Sequence, residues 1–338
     1  MSAWPEKLAS LVDAGVPAAL VTVAAVKGSA PREAGAAMIV TERDLFGTVG
    51  GGRLEYRAAR LARTMLRTGA APRLREFPLG PELGQCCGGH VALRFQRITA
   101  EDRAWLDPLG RWIAAGRDAA LVFAADADGR GCAAVSREKV AGDLGPRTAA
   151  AVSAARKVLA GAAAADEAWH VVRVSPPDCV VYLFGAGHVG RALASILGQL
   201  PCRAVWIDER KDAFPPAVPA NVAVVHTPEP VAEAKRAAKG AYVLVMTHSH
   251  ARDQQIVEAV LRRGDFAYLG LIGSATKRAR FAARLRAAGI GEAALARLVC
   301  PIGAEGIPGK EPGVIALAAA AEIMRRHRAA RASLARSA

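Results

Sequence analysis

Two adjacent cysteines in a glycine-flanked segment, Gly84-Gln85-Cys86-Cys87-Gly88-Gly89, are the most chemically distinctive residues of the sequence. Neighbouring cysteines rarely form a disulfide with each other, because the small ring is strained. The sequence also lacks the Cys-x-x-Cys pairs of a structural zinc site. We therefore expect one or two accessible thiols here, which as thiolates are soft metal ligands and sulfur nucleophiles. The alternative is a pair of small buried residues, since free cysteine is often buried.

Two other polar turns of the first half have groups suited to an anion. Residues 47–55 form a glycine-rich turn before a predicted helix, where backbone amides favour negative charge. Residues 27–32 add a hydroxyl and a guanidinium. Each segment could instead be a simple tight turn, but three polar turns in one domain favour a shared site. The candidate contacts are Gln85, Cys86 and Cys87 with Ser29, Arg32, Gly50, Gly51, Gly52 and Arg53.

A third glycine pattern, G-x-G-x-x-G at residues 185–190, follows a predicted strand and opens a predicted helix. Such glycines permit a tight turn and let backbone amides approach a phosphate, and an acidic residue ending the next strand suits a ribose hydroxyl. The alternative is that the glycines only allow close packing of helix and strand. The candidate contacts with a phosphate-bearing ligand are Gly185, Gly187, His188, Gly190 and Asp208.

Two more loops follow predicted parallel strands, at the sheet edge where ligands bind in such folds. One contains Thr247, His248 and His250. The other begins at Gly273 and Ser274 and is followed within four residues by two positively charged side chains. The second loop offers amides and a hydroxyl at a helix start, which suits a phosphate. Two histidines alone do not make a metal site. We therefore predict His248 and Ser274 as candidate contacts of a bound cofactor, with plain polar packing of the loops as the alternative.

The apolar runs predict the elements that position these groups. The first half reads in order strand, strand, short strand, helix, two strands, hairpin, helix and strand, which is a mixed α+β domain over residues 1–175. Residues 175–178 contain two prolines and form a natural boundary. From residue 178 to 330, short apolar strands alternate with helical patterns. This alternation predicts a Rossmann-like domain with a parallel sheet and helices on both faces.

The 338 residues carry 45 Lys plus Arg against 31 Asp plus Glu, a formal net charge of +14. This charge attracts anions such as phosphates or an acidic partner, although arginine is also an ordinary solvated helix residue. Aromatic residues make up only 5%, which argues against nucleic-acid binding by base stacking. No signal peptide or membrane-spanning stretch is evident, so we expect a cytoplasmic protein without membrane contact. Four cysteines lie in or beside apolar runs and are predicted to be core residues: Cys132, Cys179, Cys202 and Cys300.

Taken in order, these motifs resemble the XdhC/CoxI family over nearly the whole chain. The resemblance rests on residues 27–32, 47–55, 84–89 and 185–190 together with 247–250, 270–274 and 300–303. Each string alone is modest, but their order and spacing are specific. The stretch Gly303-Ala304-Glu305-Gly306-Ile307 departs from the family's expected, more apolar turn, which leaves the contacts of that segment undefined.

The resemblance implies a molybdenum cofactor (molybdopterin) chaperone that takes part in xanthine dehydrogenase maturation. Such a protein protects the cofactor, supports its sulfuration by a cysteine desulfurase and inserts it into the xanthine dehydrogenase molybdenum subunit. The resemblance also implies a family-specific first domain, a Rossmann second domain and a homodimer. Cys86 and Cys87 lie in the family's cysteine motif, and their thiol chemistry makes them candidate contacts of molybdenum.

Two hypotheses follow from the sequence. The first is a cofactor-binding chaperone without turnover of its own, consistent with the lack of a clear acid/base pair or Ser-His-Asp order. The second is an NAD(P)-dependent oxidoreductase that uses the glycine loop at 185–190 and Asp208. A nucleotide in the Rossmann domain is compatible with both hypotheses.

Overall fold

A computed structural model of the chain describes residues 4–70, 73–80, 88–124, 131–162 and 168–337. The chain forms two compact units and passes from the first to the second between Pro176 and Pro177. Each unit has its own sheets and its own core.

The first unit combines four helices with nine strands among the described residues. In chain order they are α1 (Trp4–Asp13), β1 (Ala18–Lys27), β2 (Ala37–Val40), β3 (Leu45–Gly47), α2 (Gly52–Thr68), β4 (Arg73–Pro78), β5 (His90–Ile98), α3 (Arg103–Ala114), β6 (Ala119–Ala124), β7 (Cys132–Ser136), β8 (Val140–Asp143), α4 (Thr148–Leu159) and β9 (Trp169–Val174).

Two antiparallel sheets organise this unit, one in the order β3-β2-β1-β5-β4 and the other in the order β8-β7-β6-β9. Apolar side chains from both sheets share one core cluster, to which α1 and α3 also contribute. Helix α2 packs on the outer face of the five-stranded sheet, and α4 packs on the outer face of the four-stranded sheet. The alternation of side chains along each strand therefore fills a core on both of its faces.

Two polar side chains lie inside the first unit beside Phe123. Arg94 is 2% exposed, donates from Nη1 to the carbonyl oxygen of Ala124 at 2.9 Å, and lies 4.6 Å from the centre of the Phe123 ring. His170 pairs with Phe123 across β9 and β6. Burial, helped by the charge of Arg94, lowers the pKa of His170 to about 4, so this imidazole stays neutral in the folded protein near pH 7.

The second unit is a parallel sheet covered by helices. Its elements are β10 (Val180–Phe184), α5 (His188–Leu197), β11 (Arg203–Asp208), β12 (Val222–His226), α6 (Pro230–Arg236), β13 (Tyr242–Val245), α7 (His250–Arg263), β14 (Tyr268–Leu271), α8 (Ala275–Ala287), α9 (Glu292–Leu295), β15 (Leu298–Val299) and α10 (Pro312–Ser337).

The six strands of this sheet stand in the order β12-β11-β10-β13-β14-β15, and all of its pairs are parallel. Helices α5 and α10 contribute to the core on one face, and α7 and α8 contribute to the core on the other. Because β10 has β11 on one side and β13 on the other, the strand order reverses at β10. Loops at the carboxyl ends of these strands therefore lie at the position where ligands bind in open parallel sheets.

The predicted fold class is confirmed, with a mixed α+β first unit and a Rossmann-like second unit. The predicted strands occur, mostly within one residue of their expected ends. Strand β3 ends at Gly47, whose φ of +81° takes it out of extended conformation. Among the described residues, no helix combines the length and apolarity needed to span a bilayer.

His170 predicts a specific pH dependence of stability. The unfolded chain protonates this histidine near pH 6.5, whereas the folded protein does so only near pH 4. As the pH falls, the unfolded state binds the proton first, so stability is lost between these two values. By proton linkage, His170 should contribute a loss of about 2 kcal/mol to the parent's unfolding free energy between pH 7 and pH 5. His170→Phe, which keeps an aromatic ring beside Phe123, should lose less.

Urea unfolding at pH 7, 6 and 5 measures this effect. His226→Gln is the control, because His226 lies exposed at the end of β12 and should leave the parent's slope unchanged. Equal slopes for the parent and His170→Phe would contradict the prediction.

Candidate functional site

Backbone contacts bring together the polar turns of the first unit. Gly28 has a φ of +73°, and a Cβ built on it would lie 3.2 Å from the Cα of Gly89. A Cβ on Gly89 would lie 2.2 Å from the carbonyl oxygen of Ser29, closer than any side chain can approach. Glycine is therefore required where the turn at 27–32 meets the end of the loop that precedes β5.

The glycine-rich turn before α2 joins the same group. Gly50 has a φ of +135°, and a Cβ on it would lie 2.5 Å from Cγ of Pro31. The turn at 47–55 therefore packs directly on the turn at 27–32. We call the residues 27–32, 47–55 and 88–89 the turn cluster.

A carboxylate of the chain itself occupies backbone amides of this cluster. Glu55 Oε2 accepts the amides of Val49 and Gly51, each at 3.2 Å, and also the Thr48 hydroxyl. Thr48 Oγ1 in turn accepts the amide of Gly50 at 3.1 Å. The Gly50 and Gly51 amides, which were predicted to bind an external anion, are accepted here by the internal oxygens of Thr48 and Glu55.

The groups of the turn cluster that remain for an anion lie at the start of α2. Its N-cap, Gly51, makes no side-chain capping hydrogen bond, and the first amides of any helix have no partner within the helix. Gly52 and Arg53 are exposed there. Arg32 is less accessible, with 19% of its side chain exposed and an ion pair to Glu33 at 2.8 Å. An uncapped helix start beside a guanidinium favours negative charge.

Gln85, Cys86 and Cys87 lie outside the residues that the structure describes. The described residues before and after this segment are linked by a hydrogen bond from the amide of Leu79 to the carbonyl oxygen of Gly89, at 2.7 Å. The prediction that the other four cysteines are core residues is confirmed, since all four are buried. Burial raises the pKa of the Cys179 thiol to about 12 and that of Cys202 to about 11.

In the second unit, the three glycines of the G-x-G-x-x-G pattern have different roles. A Cβ on Gly185 would lie 2.3 Å from the carbonyl oxygen of Met246, and one on Gly190 would lie 2.1 Å from the carbonyl oxygen of Gly185. Both therefore serve close packing. Gly187 has an ordinary φ of −73°, and nothing lies within 4 Å of a Cβ placed on it. Gly187 is thus the point of this loop that faces open space, next to exposed His188 at the start of α5.

Asp208 is fully engaged at the end of β11. It is 4% exposed, and its Oδ2 accepts the amide of Ala186 at 2.6 Å. Its two oxygens also accept three N–H groups of Arg210, each at 2.9 Å. Burial opposes ionisation of this carboxyl, but the hydrogen bonds from Arg210 and Ala186 outweigh burial and hold its pKa below 3.8. With four donors on its four acceptor positions, Asp208 has none left for a ribose hydroxyl.

Buried carboxylates also fix the loops after β13 and β14. Asp253 is 1% exposed and accepts the Thr247 amide at 3.0 Å and the Lys277 ammonium at 2.8 Å. Ser274 begins α8 and accepts the amide of Lys277 at 3.2 Å, so its hydroxyl acts as a helix cap.

Predicted His248 lies on the β13 loop, where its Nε2 is 3.3 Å from Glu209 Oε1. Arg252 Nε donates to the other oxygen of Glu209 at 3.2 Å. Because Glu209 follows β11 and His248 follows β13, this contact joins the loops on either side of β10. Within the described ranges, no group of three or more His, Cys, Asp or Glu could hold a metal ion.

Sequence patterns missed four residues that hold these loops in place, namely Glu55, Glu209, Arg210 and Asp253. They indicated Lys277 as a cation for a phosphate, whereas its ammonium pairs with Asp253. One signal was available. An acid in the first turn of the helix that follows each loop is typical of a side chain that bonds back to unpaired amides. Glu55 in α2 and Asp253 in α7 both occupy such positions.

The chain matches two protein families. Residues 11–78 match the XdhC and CoxI family, and residues 181–323 match the XdhC Rossmann domain. A stretch of 145 residues is 30% identical to the uncharacterized protein YqeB of Escherichia coli (strain K12). That stretch is 42% of this chain and only 26% of YqeB, so the chain spans about a quarter of this relative.

A solved structure described as a xanthine dehydrogenase from Bacillus halodurans superposes with a TM-score of 0.71. The superposition covers 97% of this chain and 96% of that one, at 22% sequence identity. At this identity the likeness concerns the fold.

The different surroundings of Gly187 and Gly190 predict opposite tolerance to a methyl group. Gly190→Ala places a Cβ against the Gly185 carbonyl and should destabilise the protein by about 1–3 kcal/mol. Gly187→Ala meets open space and should cost less than about 1 kcal/mol. Urea unfolding of both variants measures the contrast. Equal losses would mean that the loop has another conformation.

Glu55 predicts a second effect on stability. Glu55→Ala leaves the amides of Val49 and Gly51 without their acceptor, and should destabilise the first unit by about 1–3 kcal/mol. Glu42→Ala is the matched control, because Glu42 is 62% exposed and pairs only with Arg67 at the surface, a contact worth less than about 1 kcal/mol. The prediction fails if the two variants melt at the same temperature.

Proposed function

Because this chain belongs to the XdhC and CoxI family, we propose that it is an accessory protein of a xanthine dehydrogenase-type enzyme. It binds the molybdenum cofactor as cargo, protects it, supports its sulfuration and delivers it to the molybdenum subunit. The cysteine desulfurase as sulfur donor and the homodimer are further parts of this proposal, and both come from the family resemblance.

The observation that carries the proposal is the turn cluster. Glycine is required at residues 28, 50 and 89 because a Cβ there would make a short contact with another turn. Three separate positions of the sequence therefore allow the turns to pack together. The cluster presents the uncapped start of α2 with Arg53 exposed beside it. Three turns far apart in sequence thus lie together beside a helix start, and the amides of a helix start favour an anion.

The chemistry of the cargo matches the groups near this surface. The cofactor carries a phosphate, which suits the free amides and the guanidinium at the start of α2. It also carries a metal held by sulfur, for which a thiolate is a suitable soft ligand. Cys86 and Cys87 immediately precede Gly88 of the cluster in the chain. We propose that these two thiols and Gln85 bind the cofactor together with the turn cluster.

The solved neighbour supports the association with a xanthine dehydrogenase, since that protein of the same fold carries this description. The Rossmann unit supports a phosphate-bearing ligand through Gly187, which faces open space at the start of α5. This ligand is either the cofactor or a nucleotide.

The alternative of an NAD(P)-dependent oxidoreductase has less support. It requires Asp208 to bind a ribose hydroxyl, and Arg210 and Ala186 already use all four acceptor positions of that carboxylate. A dinucleotide would have to displace the Arg210 ion pair before it gained this contact.

Cofactor retention tests the proposal against this alternative. Purified protein is incubated with molybdenum cofactor and, separately, with NADH, and is then passed through gel filtration. Pterin fluorescence that elutes with the protein supports the chaperone. NADH that is retained or consumed, in the absence of pterin retention, would overturn it.

Removal of the paired thiols should weaken cofactor retention. In a Cys86→Ala/Cys87→Ala variant we expect at least a tenfold loss of affinity with an unchanged unfolding midpoint, because soft ligation is lost. Cys179→Ala is the control, since its thiol is buried and, with a pKa near 12, is not ionised near pH 7. Full retention by the double variant would make the thiols bystanders.

A further inference from the structure

Helix α2 presents an exposed row of arginines flanked by two large apolar side chains. We call Arg53, Tyr56, Arg57, Arg60, Leu61 and Thr64 the α2 arginine face. All six are exposed, with Tyr56 64% and Leu61 40% accessible. Their spacing of three or four residues places the arginines in one stripe along the helix. The opposite side of α2 is buried against the five-stranded sheet.

The charge of this face is not balanced within the described chain. Arg53, Arg57 and Arg60 form no ion pair with any residue that the structure describes. Their neighbours on the helix are engaged, since Arg63 donates to the carbonyl oxygen of Thr41 and Arg67 pairs with Glu42. Like charges three or four residues apart destabilise a helix by roughly 0.2–0.5 kcal/mol per pair. Repulsion within this row of arginines therefore destabilises α2, and no ion pair with a described residue offsets it.

An abundance of arginine does not explain this face by itself. Helix α8 is equally rich in arginine, and its exposed Arg278 and Arg280 also form no ion pair with a described residue, while Arg284 donates to Gln254 and Arg286 pairs with Glu292. The large apolar side chains of α8, Phe281 and Leu285, are buried. The α2 face differs because unpaired cations lie beside exposed apolar side chains.

A small apolar hollow adjoins Leu61. It has a volume of about 70 Å³ and is lined by Leu61, Met65, Ala70 and Phe95 with the stems of polar neighbours. Arginine, an exposed tyrosine and a hollow for one apolar side chain are typical of the energetic centres of protein interfaces.

We propose that the α2 arginine face docks on an acidic protein surface that bears an apolar side chain. Resting on the proposed function, we assign this surface to the enzyme that receives the cofactor. Helix α2 begins in the turn cluster, so a partner bound along the helix would lie next to the proposed cargo. A nucleic acid fits less well, because a strand needs several rings for stacking and this face carries one.

Charge reversal tests the surface. Arg57→Glu/Arg60→Glu and Tyr56→Ala are compared with the parent for binding to the cofactor-free molybdenum subunit of the source organism's xanthine dehydrogenase-type enzyme. Arg53 is left unchanged because it belongs to the turn cluster. Arg325→Glu/Arg328→Glu on α10 is the matched control, with the same spacing, exposure and charge change. Calorimetry at low and at moderate salt gives the affinities, and pterin retention is measured in parallel.

The proposal predicts at least a tenfold loss of enzyme affinity for both α2 variants. The reversal should also remove most of the salt dependence. The α10 control should bind within twofold of the parent. Tyr56→Ala and the α10 control should retain cofactor as the parent does, whereas the arginine reversal should hold it less tightly, because it removes positive charge near the start of α2. The arginine reversal should not lower the unfolding midpoint, because it relieves repulsion within α2.

Several results would overturn the proposal. Equal enzyme binding by the parent and the α2 variants would exclude this face, and equal loss in the α2 and α10 reversals would indicate unspecific charge attraction. Loss of duplex DNA binding without loss of enzyme binding would assign the face to nucleic acid. If the parent retains pterin but does not bind the enzyme, the docking proposal alone is wrong. If the parent retains no pterin, the proposed function is wrong as well.

Discussion

The rest of this structure depends on one kind of interaction. At the ends of strands, carboxylates of the chain itself accept hydrogen bonds from backbone amides. Glu55 accepts two amides of the turn before α2, Asp208 accepts the Ala186 amide after β10, and Asp253 accepts the Thr247 amide after β13. A turn that leaves the sheet exposes N–H groups without ladder partners, and such groups are costly when buried. Internal acids meet this need and fix the loop shapes at the same time.

The same carboxylates determine what each loop can bind. An anion that approaches the amides of Val49 and Gly51 meets Glu55, and one that approaches the amide of Ala186 meets Asp208, so these amides are not open to it. The positions left are those where the glycine serves no internal contact or the helix start has no cap. These are Gly187 at α5 and the first turn of α2. In each unit, an internal carboxylate thus occupies amides of a glycine-rich loop and leaves one position of that loop accessible to an anion.

The sequence was sufficient for the fold class and most of the strands, because the alternation of apolar residues and the order of the glycine turns are local patterns, but it did not predict the short strands β8 and β15. It was not sufficient for α3, where Pro108 interrupts an otherwise helical pattern, or for the long Ala- and Arg-rich α10. The sequence also does not predict the different roles of Gly187 and Gly190, since these depend on the atoms that surround each glycine in the folded chain. Asp208 was correctly placed at a strand end, but its engagement by Arg210 depends on the conformation after β11. Partner choice of this kind is set by tertiary geometry and not by residue type.

Helix α2 connects the two proposed functions of the first unit. Its first turn contributes to the turn cluster, Glu55 fixes the angle at which the chain enters it, and its exposed side carries the unbalanced arginines. Cargo and partner would therefore contact one rigid element at neighbouring positions. A partner that neutralises Arg57 and Arg60 would also weaken the positive field at the start of the helix, because the same stripe of charge includes Arg53. An anionic cargo held partly by that field would be bound less tightly once the acidic surface had docked. The arrangement thus gives a physical reason for release to follow docking, without a change in backbone conformation.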